Sequence, residues 1–264
     1  MEAYQTTGVV SPIHLLLGFL KEKSVPCMEL TVTYPKLKDV LYERTNEIHT
    51  SNGEIGIRYK PFTTAISSST EQILYIAKKR MNRYKQVFLN EGHLIDAIFR
   101  VEKDLASEIN VSRVLEIVSY PRDMIVPLNE YSPPKLPTTH VTFRRAEKSD
   151  ETSLNSFVKR EFGSGWLNSI NNGFSKEEIP IFIAFEENEI IGFACYDVVR
   201  NKKSLFGPMG TSYSKRIKGV GYTLLHLCLN KMNNIGYEYA VLGEVGPIEF
   251  YEKACHATVI PKFF

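Results

Sequence analysis

Cysteine is scarce and scattered: Cys27, Cys195, Cys228 and Cys255 are the four in 264 residues. No CxxC pair occurs and no histidine stands at metal-ligand spacing, so neither a disulfide framework nor a metal site is expected. Charge of one sign is also lacking. Thirty-two Lys and Arg face thirty Asp and Glu, and residues 1–118 alone carry fifteen against fourteen. A chain without a basic half has nothing to neutralise a phosphate backbone, which argues against a nucleic-acid partner. Long apolar runs are missing too. The charge-free stretch near the start, Val9 to Leu20, is broken by Ser11, Pro12 and His14, and it is too short to span a bilayer. Met1-Glu2-Ala3 offers no basic signal-peptide region and no lipidation motif. No membrane partner is expected, and four free thiols fit a reducing, cytoplasmic location. Nor does a GxxxxGK[ST] loop occur, which excludes a P-loop ATPase.

What is present divides the chain. At 43% hydrophobic and 23% charged residues it has the composition of a folded soluble protein, and its length allows two domains, each able to bury a core. Between Tyr120 and His140 fall five of the thirteen prolines, Pro121, Pro127, Pro133, Pro134 and Pro137. Each removes a backbone donor and biases its predecessor toward extended conformations. This segment reads as a semi-stiff connector. The expected division is a helical domain over 1–119, a proline-rich linker over 120–139 and a mixed domain over 140–264, with residues 138–264 able to fold alone.

The first domain carries an internal repeat. His14-Leu15-Leu16-Leu17-Gly18-Phe19-Leu20 superimposes on His93-Leu94-Ile95-Asp96-Ala97-Ile98-Phe99 at an offset of 79 residues. Amphipathic helices follow each copy, over Lys36–Ile48 and Ser107–Ser119, and a long helix over Thr70–Gln86 precedes the second. These residues resemble the Clp N repeat, the helical docking domain of Clp-family unfoldases, over about residues 8–118. The phrase Pro61-Phe62-Thr63 is similar to that family's repeat opening. The family's acidic residue before each repeat histidine is Ile13 and Gly92 here, so the resemblance does not extend to phosphoarginine binding. His14 and His93 read as helix-start histidines packed inside the repeat. The resemblance implies an all-α docking module with a protein partner.

The second domain alternates strands and helices around a largely antiparallel meander, an α+β layer. Strands are expected over His140–Arg144, Pro180–Glu186, Ile190–Val199, Ser204–Ser212, Tyr239–Leu242 and Ala257–Phe263. Helices are expected over Asp150–Glu161, Gly165–Asn172, Gly219–Asn233 and Pro247–Ala254. Chemistry concentrates where a strand runs through Leu205-Phe206-Gly207-Pro208-Met209-Gly210-Thr211 into Arg216-Ile217-Lys218-Gly219-Val220-Gly221-Tyr222 and then a helix. Glycines after a strand let the backbone approach a ligand, and free N–H groups at a helix start attract an anion. Arg216 adds a planar cation suited to phosphate.

With Phe250-Tyr251-Glu252-Lys253 downstream, this constellation resembles the GNAT superfamily of acyl-CoA-dependent N-acyltransferases over about residues 140–264. The phrasing Phe206-Gly207-Pro208-Met209-Gly210 with Gly246-Pro247-Ile248-Glu249-Phe250-Tyr251 is similar to a bacterial subgroup. The resemblance implies a GNAT fold and acetyl-CoA as cosubstrate. Met209, Gly210 and Thr211 would meet the pantetheine arm like an added strand, and Arg216, Ile217, Lys218, Gly219, Val220, Gly221 and Tyr222 would form the pyrophosphate cradle. Tyr251 takes the place of the general acid. The sequence departs from the family pattern at Tyr213, Glu244, Pro247 and Cys255-His256.

Acyl transfer to an amine needs a neutral amine, a positioned carbonyl and a proton for the leaving thiolate. Tyr251 offers that proton from a phenol of reference pKa about 10, against about 8.5 for a thiol. Glu244 is the first candidate base, directly or through water, and Asp197 the second. Trp166 either lines the acceptor pocket or packs. No covalent acyl-enzyme is required, so the cysteines read as packing thiols. Two function classes stand: an N-acetyltransferase for a small-molecule amine or protein amine, recruited by the helical domain, and a non-catalytic acetyl-CoA-binding or Clp-adaptor-like protein.

Overall fold

The computed structural model describes residues 8–22, 24–48, 56–83, 86, 89–119, 121–215 and 217–261. The chain forms two compact units that divide between Pro121 and Arg122. No helix among the described residues is long and apolar enough to cross a membrane.

The first unit is helical, as expected. Its helices are α1 (Pro12–Lys21), α2 (Val25–Thr33), α3 (Leu37–Ile48), α4 (Ser68–Arg83), α5 (Glu91–Val101), α6 (Lys103–Glu108) and α7 (Val111–Ser119). Two short parallel strands, β1 (Val9–Val10) and β2 (Ala65–Ile66), make it not strictly all-α. Leu16, Leu17, Leu30, Leu41, Ile73, Ile95, Ile98 and Val114 close one apolar core. The helix expected over Ser107–Ser119 is broken at Asn110, whose side-chain oxygen accepts the Arg113 N–H at 3.1 Å and starts a new helix. Helix α2 was not expected, because its β-branched Val25, Thr31, Val32 and Thr33 blur the helical period.

The two repeat histidines perform the same local task. Ser11 N–H donates to His14 Nδ1 at 3.1 Å, and Asn90 N–H donates to His93 Nδ1 at 3.2 Å. His93 N–H returns a bond to Asn90 Oδ1 at 3.0 Å. Each ring thus satisfies a donor that a helix start leaves over, a stabilisation of about 1 kcal/mol. The helix-start reading of both histidines holds.

The second unit is a seven-stranded sheet flanked by helices. Along the chain come β3 (Arg122–Pro127), β4 (Thr142–Arg145), α8 (Glu151–Phe162), α9 (Leu167–Phe174), β5 (Ile181–Glu186) and β6 (Glu189–Tyr196). Then follow β7 (Leu205–Thr211), α10 (Val220–Ile235), β8 (Tyr239–Val245), α11 (Ile248–Cys255) and β9 (Thr258–Val259). The strand order is β4-β5-β6-β7-β8-β3-β9. All pairings are antiparallel except β7 with β8, so the sheet is mixed rather than a pure meander. Helix α10 covers one face: a Cβ on Gly192 would meet Leu224 and Val220 at 3.1 and 3.2 Å. The next residue, Phe193, turns to the other face and packs on Phe157 and Phe162 of α8.

The connector expected over residues 120–139 is corrected by this structure. Its first part is β3, inserted between β8 and β9, with Arg122, Met124 and Val126 buried in strict alternation. The rest is a strap tied along α10. Leu128 N–H donates to the Glu238 carbonyl at 2.7 Å, Tyr131 hydroxyl meets His226 Nδ1 at 2.8 Å, and Pro137 lies against Gly219. The prolines suit a segment that covers a helix without needing ladder donors.

Two outcomes follow from these packings. Residues 122–264 should express as a folded unit, whereas residues 138–264, which lack β3 and the strap, should be insoluble or unfolded by circular dichroism; equal folding of both fragments contradicts the assignment. The second concerns His93, which burial first, and the Arg80 charge second, hold below the ordinary histidine pKa. The unfolded chain then binds the proton more readily, so stability is full above about pH 6.5, declines below it and is lost as pH falls through the lower folded-state value. His93→Gln keeps a side chain able to cap the helix start and removes the titration. Its denaturant midpoint should vary less than that of the parent between about pH 7.5 and about pH 5; an unchanged pH dependence contradicts this role for His93.

Candidate active site

Strands β7 and β8 meet at only two residues, Leu205 opposite Val241 and Phe206 opposite Leu242, and then part. Both strands bulge where they separate. Between Ala194 and Tyr196 of β6 the partner runs from Met209 back to Phe206, so β7 carries one extra residue around Gly207 and Pro208. Between Arg122 and Met124 of β3 the partner runs from Val245 to Leu242, so β8 carries one at Gly243 and Glu244. An extra residue bends its strand and increases the local twist. From Gly207 to Thr211 the edge of β7 that faces β8 therefore has no strand pairing. Met209, Gly210 and Thr211 all lie in this open stretch. An extended chain fits such an edge as an additional strand does.

The end of β7 leads through a pinned loop to α10. Glu161, at the end of α8, accepts the Tyr213 N–H at 2.9 Å. Lys215 pairs with Glu189 at 2.8 Å. Burial acts to raise the Glu161 carboxyl, but the Tyr213 N–H and Arg160 outweigh it and hold it below its ordinary value. Gly219 caps α10 with φ of 93°, a left-handed backbone that favours glycine. A Cβ there would also meet Pro137 Cγ at 2.7 Å. The Thr223 N–H closes on the Gly219 carbonyl at 2.9 Å, the first bond of the helix, and Val220 N–H reaches the Ile217 carbonyl at 3.4 Å. The N–H groups of Gly221 and Tyr222 find no acceptor among the described residues. No acidic side chain stands in the first turn. Two donors without a described acceptor at the positive end of a sixteen-residue helix are the kind of feature that attracts an anion.

Gly221 has room beside it. A Cβ there would meet Thr211 Cγ2 at 3.7 Å and Phe250 Cζ at 3.9 Å, ordinary contacts, so it would fill the cradle without displacing the protein. Val220, by contrast, points into the core at 1% exposure, so it can contribute only its backbone. Ile217 is half-buried and Lys218 exposed on the approach to the helix. Arg216 lies outside the described residues.

Helix α11 brings Tyr251 to the point where the strands part. Its ring packs edge-on against Phe206, the last β7 residue paired with β8, at 6.3 Å, and against Phe250 at 4.9 Å. It is 6% exposed. Burial chiefly, and the Cys255 thiol next, push its phenol well above the ordinary tyrosine range. The proton therefore stays on the oxygen at neutral pH.

The two carboxylate candidates differ in setting. Glu244 is exposed on the β8 bulge, at φ of 50°, with its N–H bound to Asp123 Oδ1 at 2.8 Å. Asp197 is 5% exposed. It accepts the Tyr237 hydroxyl at 2.6 Å, and Lys176 donates to its carbonyl. It sits opposite Leu205, at the closed end of the β7–β8 pair. Tyr251 packs on the last paired residue of β7 and Glu244 lies on the β8 bulge just beyond the pairing, whereas Asp197 lies at the closed end of the pair. Trp166 packs on Phe162 at 5.0 Å and on Phe193 at 6.1 Å, and remains 36% exposed. All four cysteines are buried free thiols. Asp123 and Glu161 were not foreseen, since each acts through a partner distant in sequence, Glu244 and Tyr213.

Residues 144–257 match the Acetyltransferase (GNAT) family. No curated protein matches the sequence. Among solved structures, the chain is similar to the GCN5-related glucosamine N-acetyltransferase region of a fungal multi-domain GH3 beta-N-acetylglucosaminidase, at 15% identity over 61% of this chain and 22% of that one, with a TM-score of 0.46. It is also similar to a GCN5-related N-acetyltransferase from Sphaerobacter thermophilus, at 18% identity over 62% of this chain and 64% of that one, TM-score 0.45. A third, a GCN5-related N-acetyltransferase from Kribbella flavida, shows 15% identity over 67% of this chain and 74% of that one, TM-score 0.39. The chain spans less than two thirds of the length of the first two.

The glycines separate folding from ligand binding. Gly219→Ala should cost about 1–3 kcal/mol of stability from backbone strain alone. Gly221→Val should remain folded yet raise the dissociation constant for coenzyme A by about tenfold or more, read by calorimetry. Unchanged affinity in a folded Gly221→Val protein contradicts the placement of the cradle.

Proposed function

We propose, from the GNAT acetyltransferase domain at residues 144–257 and the two free N–H groups beside the parted strands, that the chain transfers an acetyl group from acetyl-CoA to a primary amine. The family match over residues 144–257 supports an acyltransferase enzyme. The observation that carries the cofactor reading is the Gly221 cradle, whose free donors and open space fit a pyrophosphate. Acetyl-CoA, when bound, supplies an activated thioester carbonyl.

The protein's own groups then divide the work. The backbone of Gly221 and Tyr222 holds the pyrophosphate, with Arg216 as an added cation. The free edge of Met209, Gly210 and Thr211 aligns the pantetheine arm, so the thioester lies near Phe206 and Tyr251. Tyr251 keeps its proton at neutral pH and gives it to the departing thiolate. The burial that weakens the phenol as an acid also strengthens the thiolate as a base, so the two effects offset. Glu244, open to solvent on the β8 bulge, takes a proton from the incoming ammonium directly or through water. Asp197, held by Tyr237 at 2.6 Å behind the cleft, anchors the closed end of the strands. The amine attacks in a ternary complex, without an acyl-enzyme.

The acceptor is a small-molecule or protein amine. The helical unit, in the Clp N-like reading, recruits a protein partner. Exposed Met28 and Val32, one turn apart on α2, and exposed Tyr75 on α4 support that role.

Purified protein incubated with acetyl-CoA and a panel of primary amines should release free thiol. Tyr251→Phe should lower turnover by ~10²–10⁴-fold while coenzyme A affinity survives. Glu244→Gln should lower it at neutral pH and lose less at high pH, where the amine is already neutral. Asp197→Asn should reduce stability more than turnover. A Tyr251→Phe protein with less than about a threefold loss contradicts the acid assignment.

A further inference from the structure

Helix α10 buries a histidine that the transfer chemistry does not use. His226 is 4% exposed, and both ring nitrogens are engaged. Nε2 lies 3.0 Å from the Ala254 carbonyl oxygen of α11, and Nδ1 lies 2.8 Å from the Tyr131 hydroxyl of the strap. A carbonyl only accepts, so the ring carries its proton on Nε2, and the Tyr131 hydroxyl donates to Nδ1. One turn earlier on the same helix, the Tyr222 ring rests against the imidazole at 4.3 Å between centroids.

We propose that His226 is a positioning residue that holds the Tyr251 helix in register with the pyrophosphate cradle. This rests on the acetyltransferase reading above. The geometry is direct. The cradle donors belong to the first turn of α10, and the proton donor belongs to α11, which has two turns or so. A helix that short has little stability of its own and takes its position from what it is tied to. The Ala254 carbonyl is among the last of α11 and has no acceptor-satisfying N–H from its own helix. His226 supplies that donor from α10, so one side chain joins the element that binds phosphate to the element that delivers the proton. Tyr131 fixes the tautomer that keeps the donor aimed at α11. The effect acts on the rate rather than on cofactor affinity, because Gly221 and Tyr222 donate through backbone set by α10 itself.

Three variants of the full chain separate these roles. Gln places an amide N–H near the position of Nε2 and can still donate to Ala254. Asn reaches only the Nδ1 side and cannot, and Phe fills the space with no polar atom. The rate of thiol release and the coenzyme A dissociation constant are measured for each, with thermal denaturation as a check on folding. His226→Asn and His226→Phe should lose kcat on the order of tenfold or more, as a displaced catalytic group does. Coenzyme A affinity should stay within about twofold, and His226→Gln should restore most of the rate. Equal rates in all variants and the parent overturn the proposal, as does a loss of coenzyme A affinity that parallels the loss of rate. Coenzyme A binding without thiol release in the parent protein, across the amine panel, overturns the acetyltransferase reading and this inference with it. Thiol release in the parent that His226→Asn and His226→Phe leave unchanged overturns this inference alone.

Discussion

Two paired residues and then none: the contact between β7 and β8 at Leu205–Val241 and Phe206–Leu242 sets the rest of the second unit. In a parallel sheet each strand normally satisfies its neighbour along its whole length. Here an extra residue in each strand, at Gly207-Pro208 and at Gly243-Glu244, bends the two apart. The consequence is a backbone edge that is rigidly backed by β6 on one side and unpaired on the other. Helix α10 begins after the loop that follows that edge. Among the described residues, the β7 edge from Gly207 to Thr211 has no strand partner on its β8 side, and the Gly221 and Tyr222 N–H groups have no acceptor; the proposed acetyl-CoA, with an extended amide-bearing arm and an anionic end, would satisfy both.

The surroundings hold that cleft open. On one face α10 packs its Val220 and Leu224 against Gly192, where a larger residue would push the helix off the sheet. On the other, Phe162 fills the space over Gly210; a Cβ on Gly210 would come within 2.4 Å of it. The strap from Leu128 to Thr139 grips α10 at Tyr131 and again at Pro137. Strand β3 supports β8 from its outer side, and its Asp123 carboxylate receives the Glu244 N–H at the bulge.

Much of this was legible in the sequence, and the exceptions have physical reasons. The strand-loop-helix passage around Gly219 and Gly221 is a local signal, and so is the amphipathic period of α10. Tyr251 was singled out by the resemblance that Phe250-Tyr251-Glu252-Lys253 carries, and the structure puts its ring against Phe206. The strand Arg122–Pro127 was missed although Met124 and Val126 alternate correctly with Asp123 and Ile125. The flanking prolines dominated the reading, and the strand's partners, β8 and β9, lie more than a hundred residues away. Glu161 and His226 were invisible for the same reason: one ties a loop and the other a helix through contacts 52 and 28 residues distant. In the helical unit the 79-residue match placed two histidines that cap their helix starts in the same way.

The central claim is that the parted strands and the start of α10 form a single binding surface for one molecule. A crystal structure of the protein with acetyl-CoA tests it most directly. The account predicts the pyrophosphate within hydrogen-bond distance of the Gly221 and Tyr222 N–H groups, the pantetheine arm bonded to β7 between Gly207 and Thr211, and the thioester sulfur beside the Tyr251 hydroxyl. Acetyl-CoA bound elsewhere, or held at the helix start with its arm directed away from β7, would contradict it.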